Sequence, residues 1–422
     1  MHLPFVILRV LLICSLLAGC AGAGTGTRPG PHEPRTVLLI SIDAFRADYL
    51  DRGLTPNLSR IAREGVRAEW MNSSYPSLTF PNHYTIVTGL RPDHHGVIHN
   101  AMWDAALGGF KTADRDAVGD GRWWGGQPVW VGAEKAGLRT ATMFWPGSEA
   151  AIDGVRPTYW KKFDDQFSYE ARVDQVVAWL DAPAAERPRL VTLYFEKVDK
   201  AGHDFGPDSA QVRSAIAQAD AAVGRLLQAL DARGRLRGTD VIVVSDHGMA
   251  AVGPGHAIAT DEMASPADAS VVSDGQSVGF APKPGHERRA EARLLGAHPH
   301  YDCWRKGELP ARWRYGTNPR IPPIVCQMRE GWDAISRKKL NERAKDAVRG
   351  SHGYDPALPS MRALFIASGP SFRSGATLPP FDNVDVYPLL ARLLGIPAAP
   401  NDGDPQRLLP ALRAPLAGGQ AR

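Results

Sequence analysis

Three apolar runs of strand length, each closing on or just before an acid, constrain this chain more than any other feature. Thr36-Val-Leu-Leu-Ile-Ser-Ile42 is followed at once by Asp43, and Val241-Ile-Val-Val-Ser245 runs straight into Asp246-His247. Leu190-Val-Thr-Leu-Tyr-Phe195 precedes Asp199 and His203. Continuous rather than alternating apolar runs are what strands buried on both faces look like. Helical stretches separate them at 56–65, 173–180 and 209–232, and another follows at 385–394. In the longest, Ile216, Val223, Leu226, Leu227 and Leu230 recur at helical spacing. Strands alternating with helices predict an α/β fold, with a mostly parallel sheet covered by helices on both faces. Such sheets bind ligands beyond the carboxyl ends of their strands, which is where Asp43, Asp199, Asp246 and His247 fall.

A second stretch supplies a hydroxyl. In Tyr75-Pro-Ser-Leu-Thr-Phe-Pro-Asn-His83, proline suits the first turn of a helix, so Pro81 is expected to open one. Thr79 then sits at a helix N-terminus, where free N–H groups favour an anion. Taken alone, Thr79 is better read as a helix cap, because caps are far commoner than nucleophiles. A threonine hydroxyl needs a base or a metal to become reactive. The candidate ligands are Asp43, Asp199, His203, Asp246, His247 and His352, the last in Gly350-Ser-His-Gly353. Carboxylate with imidazole is a donor set that zinc accepts. Each of these residues has a plain alternative as a turn, cap or surface residue; all of them together make an improbable accident.

Ile42-Asp43-Ala44-Phe45-Arg46, the Tyr75–His83 stretch, Thr88-Gly89-Leu90-Arg91-Pro92-Asp93-His94, His99-Asn100, Val198-Asp199-Lys-Ala-Gly-His203 and Ser245-Asp246-His247-Gly248-Met249 together resemble the signature set of the nucleotide pyrophosphatase/phosphodiesterase family, in particular its bacterial members. That family belongs to the alkaline phosphatase superfamily. The resemblance implies an alkaline-phosphatase-like fold and two Zn2+. Asp199, His203 and His352 match one metal shell; Asp43, Asp246, His247 and the Thr79 oxygen match the other. It implies Thr79 as the nucleophile that becomes phosphorylated. Asn100 matches the residue that binds a non-bridging phosphate oxygen beside the Thr79 N–H. Phe80 and Tyr194 match aromatics of a base-binding slot. One slot position that is commonly Leu in the family is Thr112 here. The implied activity is hydrolysis of nucleotide phosphodiesters and pyrophosphates to nucleoside 5'-monophosphates. The alternative is a family phosphodiesterase acting on choline or lysophospholipid diesters. A sulfatase would need a Cys/Ser-x-Pro-x-Arg frame, which is missing around Thr79. A phosphomonoesterase needs extra positive charge, and no arginine lies near Thr79 in sequence. The other class to weigh is an inactive protein that only binds a ligand; an intact set of catalytic and metal positions argues against it.

The ends and the middle read differently. The chain has 422 residues and a formal charge of +4. That is too mild to suggest a nucleic acid partner. Residues 1–19 read as a signal peptide, and Leu17-Ala18-Gly19-Cys20 resembles a bacterial lipobox. Lipidated Cys20 would anchor the protein to a membrane in the bacterial cell envelope, facing the periplasm. Residues 20–35 form a Gly-, Thr- and Pro-rich linker. With Cys14 in the signal and Cys20 acylated, Cys303 and Cys326 remain, and an oxidising location makes a disulfide their simplest state. The catalytic domain spans 36–249 and 350–398, with 399–422 as a tail. Residues 250–349 break the strand–helix rhythm and read as an inserted cap over the active-site edge. His298 and His300 within it are assigned to the surface or to local hydrogen bonds.

Overall fold

The computed structural model describes residues 35–343 and 347–413. The signal region, Cys20, residues 20–34 of the linker and 414–422 lie outside them. The three apolar runs form adjacent parallel strands: Thr36–Ile42 pairs with Leu190–Phe195 on one side and Thr239–Val244 on the other. The full sheet has eight strands, in the order Ala376–Leu378, Val66–Ala68, Phe365–Ser368, Thr239–Val244, Thr36–Ile42, Leu190–Phe195, Thr140–Met143, Tyr159–Trp160. Phe365–Ser368 runs antiparallel to both its neighbours; every other pairing in the sheet is parallel.

Strand periodicity divides the apolar side chains between two cores. Val37 and Leu39 join one cluster while Leu38, Ile40 and Ile42 join the other, all fully buried. Each such side chain contributes about 1.5–3 kcal/mol by leaving water. Helices Thr79–Thr88, Val129–Lys135 and Val386–Leu394 cover the first face; Pro56–Glu64, Tyr169–Leu180 and Ala210–Ala232 cover the second. The longest starts where Ser209 Oγ accepts from the Val212 N–H, and it buries Ile216, Val223, Leu226, Leu227 and Leu230. Buried Asp220 on this helix accepts from the Asn57 and Leu58 N–H groups, capping the first turn of Pro56–Glu64 from across the interface.

A second sheet lies within 250–349. It has five antiparallel strands in the order Ala269–Ser273, Ser277–Pro282, Ile324–Met328, Tyr301–Arg305, Gly296–Ala297. Cys303 and Cys326 are directly opposed on neighbouring strands and joined by a disulfide. Phe280, Ile324, Cys326 and Leu294 belong to this region's own apolar core. Residues 399–413, read from sequence as part of a tail, pack against the domain, with Leu408 and Ala411 buried. Among the described residues no helix is long and apolar enough to cross a membrane.

Candidate active site

The parallel strands end in register, with Ile42 beside Phe195 and Ser41 beside Val244, so the residues after them share one edge. Two tight turns build the first cluster there. The Asp43 N–H donates to the Phe195 carbonyl, and Ala44 takes a left-handed φ of 55°. The turn is tied to its neighbour: the Ala44 N–H donates to Asp246 Oδ1, and the Phe45 N–H to Ser245 Oγ. Asp43, Asp246 and His247 are brought together this way, and their ligand atoms lie within 4.8 Å of one another.

The second cluster is Asp199, His203 and His352, with the same spread. Asp199 and His203 stand one turn apart on the helix Lys197–Phe205. His352 follows the short strand Arg349–Ser351. That strand comes so close that a Cβ on Gly350 would lie 2.4 Å from the Gly202 carbonyl oxygen. The close approach lets His203 Nδ1 reach the Gly350 carbonyl at 3.0 Å.

Histidine orientation bears on what these clusters can hold. Nδ1 of His203, His247 and His352 each faces a backbone carbonyl, of Gly350, Gly248 and Ser77, at 2.9–3.0 Å. A carbonyl only accepts, so each Nδ1 carries the proton. In the neutral ring Nε2 is then a lone pair, and it faces carboxylate oxygen: His247 Nε2 is 2.9 Å from Asp246 Oδ2 and 3.5 Å from Asp43 Oδ1. His203 and His352 Nε2 are 3.4 and 3.5 Å from Asp199 Oδ1. Those three carboxylate oxygens are buried without a hydrogen-bond partner among the described residues. Lone pairs facing lone pairs in a buried site need a positive charge between them, a metal ion or a proton. The residues present therefore fit a metal in each cluster.

Electrostatics show the pull that a cation would answer: burial opposes charge on His247, but Asp246 outweighs it and raises the ring above its ordinary value. Burial, then the charges of Asp246 and Asp199, holds the Asp43 carboxyl well above its usual range. Burial also opposes charge on Asp246, but His247 and His83 outweigh it and hold that carboxyl well below its usual range. Burial, His247 and His203 push His352 well below its ordinary value, which favours the neutral ring a metal ligand requires.

Thr79 stands between the clusters and the cavity. Its helix runs from Thr79 to Thr88 with Leu78 as the N-cap, so Thr79 is the first helical residue and Pro81 the third, not the opener. The helix starts early because Asn82 caps the preceding turn: its side chain takes the Ser74 N–H and donates to the Pro76 and Leu78 carbonyls. Thr79 Oγ1 lies 3.2 Å from His247 Nε2. Asn100 Oδ1 accepts from the Phe80 N–H at 3.0 Å, which fixes the amide and leaves its NH2 to point elsewhere. The Thr79 N–H has no partner among the described residues.

A cavity of about 500 Å³ opens from this edge. Thr79, Asn100 and ligands of both clusters form one end; Phe80, Tyr194, Phe144, Trp145 and Phe163 form an apolar wall, with Thr112 beside them. Tyr194 does double service, since its hydroxyl donates to Asp43 Oδ2 at 2.6 Å. Every predicted site residue of the domain thus meets at one edge. Sequence reasoning missed others. Arg115 lines the same cavity although it is far from Thr79 in sequence; it is paired with Glu149, which also accepts from the Phe163 N–H. His83 was also missed: its Nδ1 donates to the Thr79 carbonyl and its Nε2 accepts from Ser41. Its place one helical turn after Thr79 was the available signal; Arg115 opens the five-residue helix Arg115–Gly119, too short to show a period, and Glu149 and Phe163 sit in loops. His298 and His300 stay away from both clusters, His298 bonded to the Leu294 carbonyl and His300 stacked on Trp332.

An α/β fold with two metal-fitting clusters and a helix-start hydroxyl at the carboxyl edge of its sheet defines a class of hydrolytic metalloenzyme. Residues 37–355 match the type I phosphodiesterase / nucleotide pyrophosphatase family. An uncharacterized pyrophosphatase/phosphodiesterase of Schizosaccharomyces pombe is 37% identical over 90% of this chain and 80% of its own. A venom phosphodiesterase of Crotalus durissus collilineatus is 36% identical over 91% of this chain, and ectonucleotide pyrophosphatase/phosphodiesterase family member 3 of Rattus norvegicus is 34% identical over 94%. The chain spans about half the length of those two, 47% and 46%. Murine ectonucleotide pyrophosphatase/phosphodiesterase 5, as an inactive threonine-to-alanine variant in complex with AMP, superposes with a TM-score of 0.84 at 33% identity, covering 90% of this chain and 100% of that one. The chain belongs to the type I phosphodiesterase / nucleotide pyrophosphatase family of the alkaline phosphatase superfamily, whose members hydrolyse phosphodiester bonds.

Proposed function

We propose that this protein hydrolyses nucleotide phosphodiester and pyrophosphate bonds through a covalent phospho-Thr79 intermediate, with two zinc ions. The observation that carries the reading is the placement of Thr79 Oγ1, 3.2 Å from a histidine of one cluster and at the mouth of an aromatic-walled cavity. Two zinc ions, one on Asp43, Asp246 and His247 beside the Thr79 oxygen and one on Asp199, His203 and His352, would lower the hydroxyl pKa and stabilise charge on the attacking and leaving oxygens.

The chain's own residues do the rest. Thr79 gives up its proton to solvent and its oxygen bonds to phosphorus as the bond to the leaving oxygen breaks; the leaving oxygen takes a proton from solvent in turn. A water molecule then cleaves the phosphothreonine, restoring the hydroxyl and releasing the nucleoside monophosphate. The free Asn100 amide and the Thr79 N–H donate to a non-bridging oxygen; each such donor is worth about 2.7–4 kcal/mol. Phe80 and Tyr194 flank the base, which fits the AMP held by the murine relative. Arg115 adds little positive charge because Glu149 neutralises it, so a diester monoanion remains the better fit than a monoester dianion. Residues 250–349 act as a cap. Export fits relatives named as venom and ectonucleotide proteins, and a lipid anchor at Cys20 rests on the Leu17–Cys20 motif alone.

The test is kcat/KM for nitrophenyl thymidylate, nitrophenyl phosphate and nitrophenyl phosphorylcholine on one zinc-loaded preparation. The thymidylate ester should lead. A monoester preference would move the protein to the phosphatase branch, and a phosphorylcholine preference would replace the nucleotide assignment.

A further inference from the structure

One short segment of the inserted region touches both loops that carry the reacting groups. Trp313 lies flat on Tyr75, with ring centroids 4.0 Å apart and planes 2° from parallel. Tyr75 is buried and stands four residues before Thr79. Its hydroxyl meets Ser277 Oγ of the five-stranded sheet at 3.0 Å. Two residues beyond Trp313, the Tyr315 hydroxyl donates to the Ile98 carbonyl, two residues before Asn100. Arg320 Nε donates to Asp104 Oδ2 at 2.7 Å, four residues after Asn100, and its Nη1 to the Gly96 carbonyl. Between these contacts, Asp93 takes the N–H groups of Gly316, Thr317 and Asn318 and the Thr317 hydroxyl. The disulfide Cys303–Cys326 closes the base of the loop that bears the whole segment.

We propose that the segment 313–320 is a positioning clamp that sets the distance between the Thr79 hydroxyl and the Asn100 amide. The nucleophile loop grips the segment at Tyr75 and the Asn100 loop grips it at Ile98 and Asp104. Because interiors are close-packed, loss of the Trp313 ring shifts one loop against the other rather than leaving both in place. Trp313 touches no reacting atom and acts through Tyr75. Its effect falls on the chemical step and not on substrate capture, since displacement by even about 1 Å can cost about 100-fold in rate.

The proposal rests on Thr79 as nucleophile, and Thr79→Ala is measured in the same series. The substrate is bis(nitrophenyl) phosphate, which has no base to place in the aromatic wall. Trp313→Ala should lower kcat about tenfold with KM changed less than about twofold, and Trp313→Phe should recover most of the rate. In an Asn100→Ala background the same change should cost less than about threefold, because the distance it sets no longer matters. Leu294→Ala, a truncation in the inserted region's own core, should lower the unfolding midpoint and leave kcat alone. If Trp313→Ala does not fold, Thr317→Val supplies the milder loosening, with a loss of about twofold to threefold that again vanishes in the Asn100→Ala background. An unchanged kcat, equal losses with and without Asn100, or a matching loss in Leu294→Ala overturns the clamp. A Thr79→Ala protein that still turns over overturns the nucleophile instead, whatever Trp313 does.

Discussion

The two metal-fitting clusters share a donor chemistry but not a setting. Asp43, Asp246 and His247 have side chains 0–2% exposed, at the ends of central strands. Asp199 is 19% and His203 37% exposed, on a surface helix. The inner cluster is built by turns tied to each other and to the sheet; the outer one depends on a helix and on a strand brought in from residue 350. Burial removes water as a competing ligand and slows exchange, so the two sites should differ in how tightly and how fast they hold a cation. All three outer ligands line the cavity, whereas of the inner three only Asp43 does.

The largest effect tests what lies between them. Thr79→Ala should lower turnover by at least about 10³-fold while both metals stay bound, because all six carboxylate and imidazole ligands remain; metal analysis alongside single-turnover kinetics checks it. Next, Asp246→Ala and His203→Ala should separate the clusters. Each should cost at least about 100-fold in kcat, but His203→Ala activity should return in excess zinc whereas Asp246→Ala should stay dead. Recovery of both, or neither, would erase the difference in setting. Chelation sharpens the same contrast: zinc should leave in two phases under a chelator, about one ion each, with activity lost in the first. Phe80→Ala moves away from the metals altogether. Nitrophenyl thymidylate should lose about 10- to 100-fold in kcat/KM and methyl nitrophenyl phosphate almost nothing, since base stacking is worth about 1–3 kcal/mol.

The smallest effect concerns pH and the fold. Buried His95 is lowered from 6.5 to about 3 by burial. Its folded pKa is depressed, so the unfolded chain binds the extra proton; stability is full above about 6.5 and falls with pH until about 3. Between pH 6.5 and 4.5 the loss should be on the order of 2–3 kcal/mol. Urea midpoints across that range should slope less steeply for His95→Gln than for the wild type.

Much of this edge could be read in advance because each inner ligand terminates an uninterrupted apolar run. Asp43, Asp246 and His247 were placed by the same pattern that placed the strands. His352 was harder, since Gly350-Ser-His precedes the strand Phe365–Ser368 by a dozen residues; only the resemblance tied it to the site. The five-stranded sheet was invisible as a sheet. Its strands are short and carry serine and glycine, as in Ala269–Ser273 and Ser277–Pro282, and even the fully buried Ile324–Met328 is broken by Gln327, so no long apolar run announces them. The helix begins at Thr79, two residues before the proline that marks it in sequence, because the Asn82 side chain caps backward along the chain. Arg115 and Glu149 escaped because a salt bridge between a short helix and a distant loop leaves no local trace in sequence.

Gly350's carbonyl holds His203, and Ser77's holds His352. These contacts join parts of the chain separated by 147 and 275 residues. Pairings of such range form late in folding, after the loop-closure entropy has been met. The centre of this enzyme therefore cannot be complete until residue 352 has joined the chain. Every fragment that ends before residue 352 lacks a ligand of the outer cluster.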